Sequence, residues 1–592
     1  MLAFHRNVAR QRIKAGGKSM TGTAVSFSAL DWMVVALYFV ANTAICVWCA
    51  LLKEKDTTDY FLASRSAGWF LIGSSIFASN IGAEHLIGLA GSGAGSGMAF
   101  AHWELHSYLI LVLGWVFAPF YLRARIFTTP EFLERRYTPA TRTFLSVIFL
   151  VSYVLTKASV TIFAGAFAIQ TILGYHVISV PLFGDVDFFW FAALSLVSIT
   201  GVFVVFGGMK SVLWTEAMHV PVLLIGSAVL LIVGLYRIGG LDALRAANPE
   251  TIHLWRPLST TPETQGFPGF LFDPSATPWL GVLITSPIIG LWYWCTDQYI
   301  VQRVLTARNL TEARRGTLFA GYLKLAPLFI FLLPGMIAVA LWKQGTPGFE
   351  AIETNPQGAF PILVSNLLPV GLKGLVLAGM LSALMSSLAS LFNSTATLFT
   401  VDFYKRLRPQ SSEKHLVTVG RIATAGVIVL GMAWIPFLQD LGKGQLYTYL
   451  QLVQSLLAPS IAAVFMAGIF FDTVTPKSGL IGIATGFALG MTRLILQATH
   501  EMYGIQWPGF IQDLVDLNWL YFSFFLFVFT CALIYVVSLV TPKATPEQIA
   551  GLTYRSVTRA HSDEDRKSYG FWEIFHTCAI LAIIAGIYIY FW

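Results

Sequence analysis

The feature that most constrains this chain is a repeated pattern of apolar segments, each long enough to cross a lipid bilayer as a helix. Such a helix needs about 20 predominantly apolar residues, and inside lipid its backbone hydrogen bonds must be made internally. We predict fourteen spans, at residues 29–52, 68–94, 98–122, 143–173, 188–207, 212–236, 280–303, 316–342, 369–404, 417–439, 447–471, 478–497, 518–540 and 570–591. The pattern therefore predicts an all-α polytopic membrane protein.

Composition and charge argue against the soluble classes of protein. Hydrophobic residues make up 56% of the 592 residues and charged residues only 12%, whereas soluble proteins carry about 25% charged residues. The net charge of +7 does not indicate a nucleic-acid partner, because the basic residues are spread over many short loops. We recognise no nucleophile, metal-ligating cluster or soluble domain, so we expect neither an enzyme nor a bound cofactor.

The basic residues also predict how the chain is oriented. Loops after odd-numbered spans hold 24 of the 38 Lys and Arg residues, and the opposite loops hold 6. Since cytoplasmic loops carry the excess of basic residues, both termini are predicted to lie outside a plasma or inner membrane. The basic residues within 1–19 oppose this orientation, and a true start at Met20 would explain them.

The spans are predicted to form two repeats. The predicted organisation is a tail at 1–28, a first helix at 29–52, five-helix repeats at 68–236 and 280–471, an outer loop at 237–279 and three C-terminal helices at 478–592 with a cytoplasmic linker at 541–569. Because each repeat has an odd number of spans, the repeats have opposite orientations. Inverted repeats of this kind are typical of secondary transporters.

Polar residues interrupt the second span. Asn80, Glu84 and His85 lie within the apolar stretch 68–94, beside the helix-loosening Gly82. Ionisable groups at such a depth are costly and mark a substrate or ion path. The corresponding seventh span is interrupted at 295–298 by Cys, Thr, Asp and Gln. Paired interruptions in the two halves predict a transport site near the membrane midplane.

The ninth span carries small hydroxyl residues on one helical face. Ser382, Ser386 and Ser390 recur at every fourth position, and Ala383 and Ser387 form a second pair beside them. Small residues often serve close helix packing, and that explanation stays open. Hydroxyl oxygens, together with carbonyls released at a broken helix, are also suitable ligands for a hard monovalent cation.

Several motifs resemble the sodium/solute symporter family, and most closely its sodium/glucose cotransporter branch. In chain order they are Asn80-Ile81-Gly82, HLIGLAGSG at 85–93, WYWCTDQ at 292–298, GYLK at 321–324, SSLASLFNST at 386–395, DFYK at 402–405 and Gln451. The resemblance implies a leucine-transporter-type fold, with one helix before a ten-helix inverted-repeat core and three helices after it. It also implies sodium-coupled symport of a monosaccharide, glucose- or galactose-like, by alternating access.

The resemblance further implies which residues form the sites. It assigns the sodium ion to the backbone carbonyls of Ala78, Ile81 and Ala383 and the hydroxyls of Ser386 and Ser387. It assigns the sugar to Asn80, Glu84, His85, Glu104, Ser107, Tyr293, Trp294, Lys324 and Gln451, with Tyr293 as aromatic platform and inner gate. Glu216 and Ser390 are implied as a second sodium site or an exit path.

Three departures from the branch bear on the substrate and the ion. Glu216 stands where Asp is usual, Thr161 where the animal cotransporters carry an acid near Lys157, and Gly290 where the bacterial galactose relative has a polar residue. These leave sodium stoichiometry and sugar preference open. The alternatives are a sodium symporter for another polar solute, such as myo-inositol or an amino acid, and a sodium-dependent sugar sensor or channel.

Structural roles are the alternatives for several of the implied sugar residues. Glu104 could stand at a helix end in the headgroup region, and Lys324 could snorkel to the membrane edge. His85 could be a buried, satisfied histidine, and Gln451 or Gln454 a packing amide.

Overall fold

A computed structural model of the chain describes residues 27–52, 56–180, 184–275, 277–441 and 446–592. The predicted N-terminal tail, with the alternative start at Met20, lies outside these residues except for its last two positions. The described chain is mostly helical. One small antiparallel sheet, formed by Val177–Val180 and Gly184–Asp187, interrupts the helices, with Val177 opposite Asp187.

Twelve helical runs among the described residues are long and apolar enough to cross a membrane. They are Ala29–Leu51, Glu84–Arg123, Pro139–Leu173, Phe188–Ile238, Trp279–Thr296, Leu310–Lys343, Leu372–Leu407, Glu413–Pro436, Leu450–Phe470, Pro476–Glu501, Trp519–Val540 and Phe571–Tyr590. Shorter helices outside these runs include Thr57–Leu62, Trp69–Asn80, Thr129–Arg136, Leu241–Ala247, Gln298–Leu305, Ala359–Leu367, Phe510–Asp516, Pro546–Ile549 and Tyr554–Lys567.

The structure has twelve runs and not fourteen because two of the runs each contain helices from two predicted spans, which meet at a glycine. The run Phe188–Ile238 contains the fifth and sixth predicted spans, which fold apart at Gly208, where φ is 51° and ψ is −155°. The run Glu84–Arg123 contains the end of the second span and the whole third span, separated at Gly97, where φ is 67°. Both backbone conformations favour glycine because it lacks a Cβ. All fourteen predicted segments are therefore helical.

Two helices are broken at corresponding places in the two repeats. The first broken helix starts as Trp69–Asn80, becomes extended at Ile81 (φ −88°, ψ 112°) and resumes in a π turn at Glu84–Leu89. The second broken helix starts as Trp279–Leu291, is extended at Asp297 (φ −70°, ψ 126°) and resumes as Gln298–Leu305. These are the two polar interruptions expected from the sequence.

A serine-rich helix, Leu372–Thr397, runs beside the first broken helix and is buried along nearly all its length. It packs against Phe188–Ile238 and against the first helix, Ala29–Leu51. On its other side the first broken helix packs on Leu310–Leu323. There a Cβ at Gly73 would come 2.6 Å from the Gly316 carbonyl. Small residues thus let helices approach closely, as membrane packing requires.

The predicted outer loop is organised around one buried carboxylate, Asp273. Its oxygens accept hydrogen bonds from Thr260 N at 2.6 Å, Thr264 Oγ1 at 2.7 Å and Ser275 N at 2.8 Å. Burial alone would raise the pKa of the Asp273 carboxyl, but these hydrogen bonds outweigh burial and the pKa lies below its usual value. Asn518 ties this loop to the C-terminal helices by donating to the Asp273 carbonyl at 3.0 Å.

Candidate functional site

A cavity of about 50 Å³ lies between the two broken helices. Its walls are formed by Asn80, Glu84, His85, Trp103, His106, Lys157, Val160, Thr161, Ile289, Gly290, Tyr293, Trp294, Tyr299, Lys324, Ser387, Leu391, Leu450, Gln451 and Gln454. Because both breaks contribute, the cavity lies where the paired interruptions predict a transport site.

Lys324 joins several parts of this wall. It follows the helix Leu310–Leu323, and its side chain is 3% exposed. Its ammonium donates to Glu104 Oε2 at 2.5 Å and to Asn80 Oδ1 at 2.9 Å. Asn80 in turn donates from Nδ2 to Tyr293 Oη at 3.1 Å. The ammonium therefore points into the protein and does not snorkel.

Glu84 and His85 enter the wall directly after the first break. His85 Nε2 lies 3.5 Å from Glu104 Oε1, and Nδ1 lies 3.9 Å from Glu84 Oε1. Thr161 Oγ1 donates to Glu84 Oε2 at 3.5 Å. A Cβ at Gly82 would collide with the Glu84 carboxylate. The glycine thus allows the carboxylate to fold back over the break.

Seven of the nine implied sugar residues line the cavity, namely Asn80, Glu84, His85, Tyr293, Trp294, Lys324 and Gln451. Glu104 lies behind this wall, fully buried, and reaches the cavity through Lys324 and His85. Ser107 is not in the lining. It begins a helix that packs near Gly321, where its carbonyl lies 3.9 Å from the position of a Cβ. Sugar contacts by any of the nine stay predictions.

The wall also contains polar groups that we did not assign from the sequence. His106 Nε2 lies 2.6 Å from Ser286 Oγ, and its ring covers Gly290, where a Cβ would come within 2.8 Å of it. Lys157 donates to Asp297 Oδ2 at 2.5 Å. Asp297 marked the second interruption, but its partner lies 140 residues earlier, and no spacing rule identifies such a pair.

The break in the first helix releases the carbonyls expected to hold sodium. The Ile81 N–H donates a hydrogen bond to the Phe77 carbonyl. The next backbone hydrogen bond in the turn runs from the His85 N–H to the Gly82 carbonyl. In the part of the chain that the structure describes, the carbonyls of Ala78 and Ile81 accept no backbone hydrogen bond. Such carbonyls at a discontinuous membrane helix are suited to coordinate a sodium ion.

The serine-rich helix faces these carbonyls. Ser79 Oγ lies 2.7 Å from Ser390 Oγ, so the two helices touch beside Ala383, Ser386 and Ser387. Hard cations prefer oxygen ligands, and all five predicted ligands offer neutral oxygens. The donor set therefore fits a sodium ion, which these carbonyls and hydroxyls would hold between the two helices. The assignment of the ion to them stays a prediction.

Ser386 is held from the opposite side by His219. The Ser386 hydroxyl donates to the Ser382 carbonyl at 2.7 Å and lies 2.5 Å from His219 Nδ1. His219 Nε2 lies 3.1 Å from Tyr38 Oη and 3.0 Å from Asn42 Oδ1. The first helix, outside the repeats, thus reaches the predicted sodium ligands through one buried imidazole.

Glu216 and Ser390 come together in a second buried polar cluster. Ser390 Oγ donates to Glu216 Oε1 at 2.5 Å, Ser79 Oγ donates to the same oxygen at 3.2 Å, and Ser75 Oγ binds the other carboxylate oxygen. Arg303 Nε donates to Ser79 Oγ at 3.2 Å. The two residues implied as a second ion site are therefore neighbours, and their role with sodium stays a prediction.

Comparison with known proteins gives similar proteins over most of the chain. The Sodium:solute symporter family matches residues 60–486. The sodium/myo-inositol cotransporter of Mus musculus is 37% identical over an alignment of 562 residues, covering 89% of this chain and 76% of that protein. Sodium/glucose cotransporter 4 of Danio rerio is 35% identical over 559 residues, covering 91% of this chain and 83% of that protein.

A solved structure shares the fold. The substrate-bound, outward-open state of a Na⁺-coupled sialic acid symporter aligns with a TM-score of 0.69 at 18% identity, covering 88% of this chain and all of that one. This likeness and the paired broken helices confirm the predicted leucine-transporter-type fold. The protein is a multi-pass membrane transporter and not an enzyme. Its family match and its relatives agree: the chain belongs to the sodium:solute symporter family.

Proposed function

We propose that this protein imports a neutral polyhydroxylated solute together with sodium, and that the solute is a monosaccharide resembling glucose or galactose. The observation that carries the proposal is a pair of buried polar atoms in the cavity wall. Gln451 Oε1, an acceptor, and Trp103 Nε1, a donor, have no hydrogen-bond partner among the described residues. A hydroxyl group both donates and accepts hydrogen bonds, so a polyol satisfies both atoms.

The aromatic residues of the wall suit the rest of such a ligand. Tyr293 and Trp294 lie side by side, with ring centroids 5.0 Å apart. Ligand sites are mostly apolar surfaces with a few placed polar groups. A pyranose ring presents C–H faces to aromatic rings and hydroxyls to Asn80 and Lys324 at its rim. These residues support the proposal that the ligand is a sugar.

The charges of the wall favour a neutral ligand. The ammonium groups of Lys324 and Lys157 lie 2.5 Å from the carboxylates of Glu104 and Asp297. A buried ion pair is neutral overall, and breaking it leaves an uncompensated charge at a high energetic cost. An anionic solute would have to compete for an ammonium that already has a partner. The cavity is therefore better suited to a polyol than to a carboxylate.

The first break places the two proposed sites on adjacent residues, which supports coupling. Ala78 and Ile81 would offer carbonyls to sodium, while the Asn80 side chain faces the cavity. A cation that orders this break also orders the sugar wall, and by linkage the sugar strengthens sodium binding by the same factor. Each sodium ion moving inward through 100 mV contributes about 2.3 kcal/mol. Alternating access would use this energy to drive import.

The relatives support the ligand class but differ in solute. One is named for myo-inositol and the other for glucose. Myo-inositol, a cyclic polyol without a ring oxygen, is therefore the alternative substrate. Equilibrium binding of D-glucose, D-galactose and myo-inositol to the purified protein, in sodium or in choline buffer, separates the two. We expect glucose or galactose to bind, and to bind more tightly in sodium, whereas preferential binding of myo-inositol would favour the alternative.

The Gln451→Ala variant tests the proposed site. It removes the acceptor without a partner, so affinity for the preferred polyol should fall about three- to tenfold, the equivalent of one hydrogen bond. Gln497→Ala is the matched control, because Gln497 Oε1 is also buried without a partner among the described residues but lies away from the cavity. If Gln451→Ala binds the polyol as tightly as the control does, the sugar site is elsewhere.

A further inference from the structure

Tyr299 stands between the sugar cavity and the predicted sodium ligands. It is the second residue of Gln298–Leu305, directly after the break at Asp297, and is 3% exposed. Its backbone N–H donates to Tyr153 Oη at 3.0 Å and to Asp297 Oδ1 at 3.1 Å. Its ring lines the cavity and lies 4.2 Å from the Lys157 ammonium. Both the backbone N–H and the ring of Tyr299 are therefore held in place.

The Tyr299 hydroxyl bridges the two helices that would bind the cation. It donates to the backbone carbonyl of Ser79, in the last turn before the first break. The same oxygen lies 3.0 Å from Ser387 Oγ and 3.2 Å from the Ser387 carbonyl. Since a phenol has a single hydrogen and Ser79 O takes it, the contact with Ser387 Oγ is a hydrogen bond that Ser387 donates.

This direction of donation decides what Ser387 can do for a cation. A hydroxyl binds a cation through its lone pairs, so its hydrogen must point to another acceptor. Serine in a membrane helix usually donates back to the carbonyl four residues earlier, and Ser386 does so to Ser382 O at 2.7 Å. For Ser387 that carbonyl belongs to Ala383, itself a predicted sodium ligand. Donation to Tyr299 leaves both ligands available.

We propose that Tyr299 is a positioning residue for the coupling cation, accepting the Ser387 hydrogen so that Ser387 Oγ and the Ala383 carbonyl both face sodium. This rests on the sodium site proposed above. Removing the phenol oxygen lets the Ser387 hydroxyl donate to the Ala383 carbonyl instead, and this hydrogen bond competes with sodium for that carbonyl. Because the Tyr299 ring and Ser387 both line the cavity, a bound polyol that fixes the ring also fixes the ion site.

The Tyr299→Phe variant removes only this oxygen. Equilibrium binding of radioactive ²²Na⁺ to the purified protein, without transport, is the readout. We expect sodium affinity to fall about three- to tenfold, the range of one hydrogen bond. Tyr137→Phe is the control. Tyr137 is equally buried and donates to a backbone carbonyl, Val464 O, at 2.8 Å, away from the site. It should bind sodium as the parent protein does.

Two further variants make the outcome decisive. If Ser387→Ala leaves sodium affinity unchanged, the proposed sodium site is wrong and the role of Tyr299 goes with it. If Ser387→Ala weakens binding but Tyr299→Phe does not, the sodium site stands and the role of Tyr299 is refuted. In the Ser387→Ala background, adding Tyr299→Phe should have no further effect, because the hydroxyl to be positioned is gone. Additive losses would show a general structural effect and overturn the proposal.

Discussion

At the scale of single residues, the cavity depends on small side chains that leave room for large polar ones. Gly290 is the clearest case, because the His106 ring occupies the space that a side chain there would need. His106 is anchored by Ser286 and lines the cavity. The imidazole of His106 therefore occupies the space beside Gly290.

The Gly290→Ala variant tests whether the cavity depends on the space that the His106 ring occupies. Its Cβ would collide with Leu109 and approach His106 to 2.8 Å. Overpacking of this kind costs about 1–3 kcal/mol, so we expect lower thermal stability and weaker polyol binding. Gly586→Ala is the control, since a Cβ there meets no atom within 4 Å. Wild-type polyol affinity in Gly290→Ala would show that His106 does not shape the site.

Residue types alone identified only part of what builds the site. Asn80, Glu84 and His85 could be found because polar groups are conspicuous in an apolar span. Gln451 and Tyr293 could be found only through the resemblance. Tyr299, His219 and His106 could not be found, because a tyrosine or histidine in an apolar segment is unremarkable until the helix beside it is known. Ser387 and Tyr299, for example, are 88 residues apart.

At the scale of helices, the two backbone breaks lie at the polar interruptions predicted from the sequence. The interruption at Asn80 to His85 is a real break with carbonyls turned away from helix bonding, and the one at Asp297 is its counterpart. The spans were predictable because the length of an apolar segment can be read directly from the sequence. Gly97 and Gly208 lie in the short gaps predicted between the second and third spans and between the fifth and sixth spans, but their φ and ψ angles could not be read from the sequence.

The Gly208→Ala variant tests the joint between the fifth and sixth spans. A side chain at φ 51° and ψ −155° is strained by about 1–3 kcal/mol, and its Cβ would also come 2.8 Å from the Tyr60 carbonyl. We expect a clear fall in thermal stability. Gly426→Ala, within the helix Glu413–Leu441, meets no atom within 4 Å and should gain stability, by up to about 1 kcal/mol. Equal melting temperatures for the two variants would contradict the assigned turn.

At the scale of the whole molecule, loops predicted on the cytoplasmic side gather on one side of the bundle. Arg123, after the third span, donates to Asp565 in the 541–569 linker at 2.9 Å, and Arg314, after the seventh span, reaches the same carboxylate. Arg142, after the third span, is paired at 2.6 Å with Asp402, close to the end of the ninth span. This clustering agrees with the 24-to-6 charge bias, and the placement of both termini outside stays a prediction.

We propose that one break in one helix couples the transport of sodium to the transport of a polyol. This coupling requires flux of the solute against its own gradient, because a sensor binds without flux and a channel only equilibrates.

The helices outside the two repeats contribute to the same assembly. The first reaches Ser386 through His219, and the last packs on Leu310–Leu323, where Tyr322 Oη lies 2.9 Å from His576 Nδ1.

The most direct measurement is uptake of labelled glucose, galactose and myo-inositol into proteoliposomes under an inward sodium gradient, with a choline gradient as control. We expect one of these polyols to accumulate above its external concentration in sodium and not in choline. The accumulation should collapse when the sodium gradient is dissipated. Uptake that only equilibrates and is indifferent to sodium, or binding without any uptake, would contradict the account.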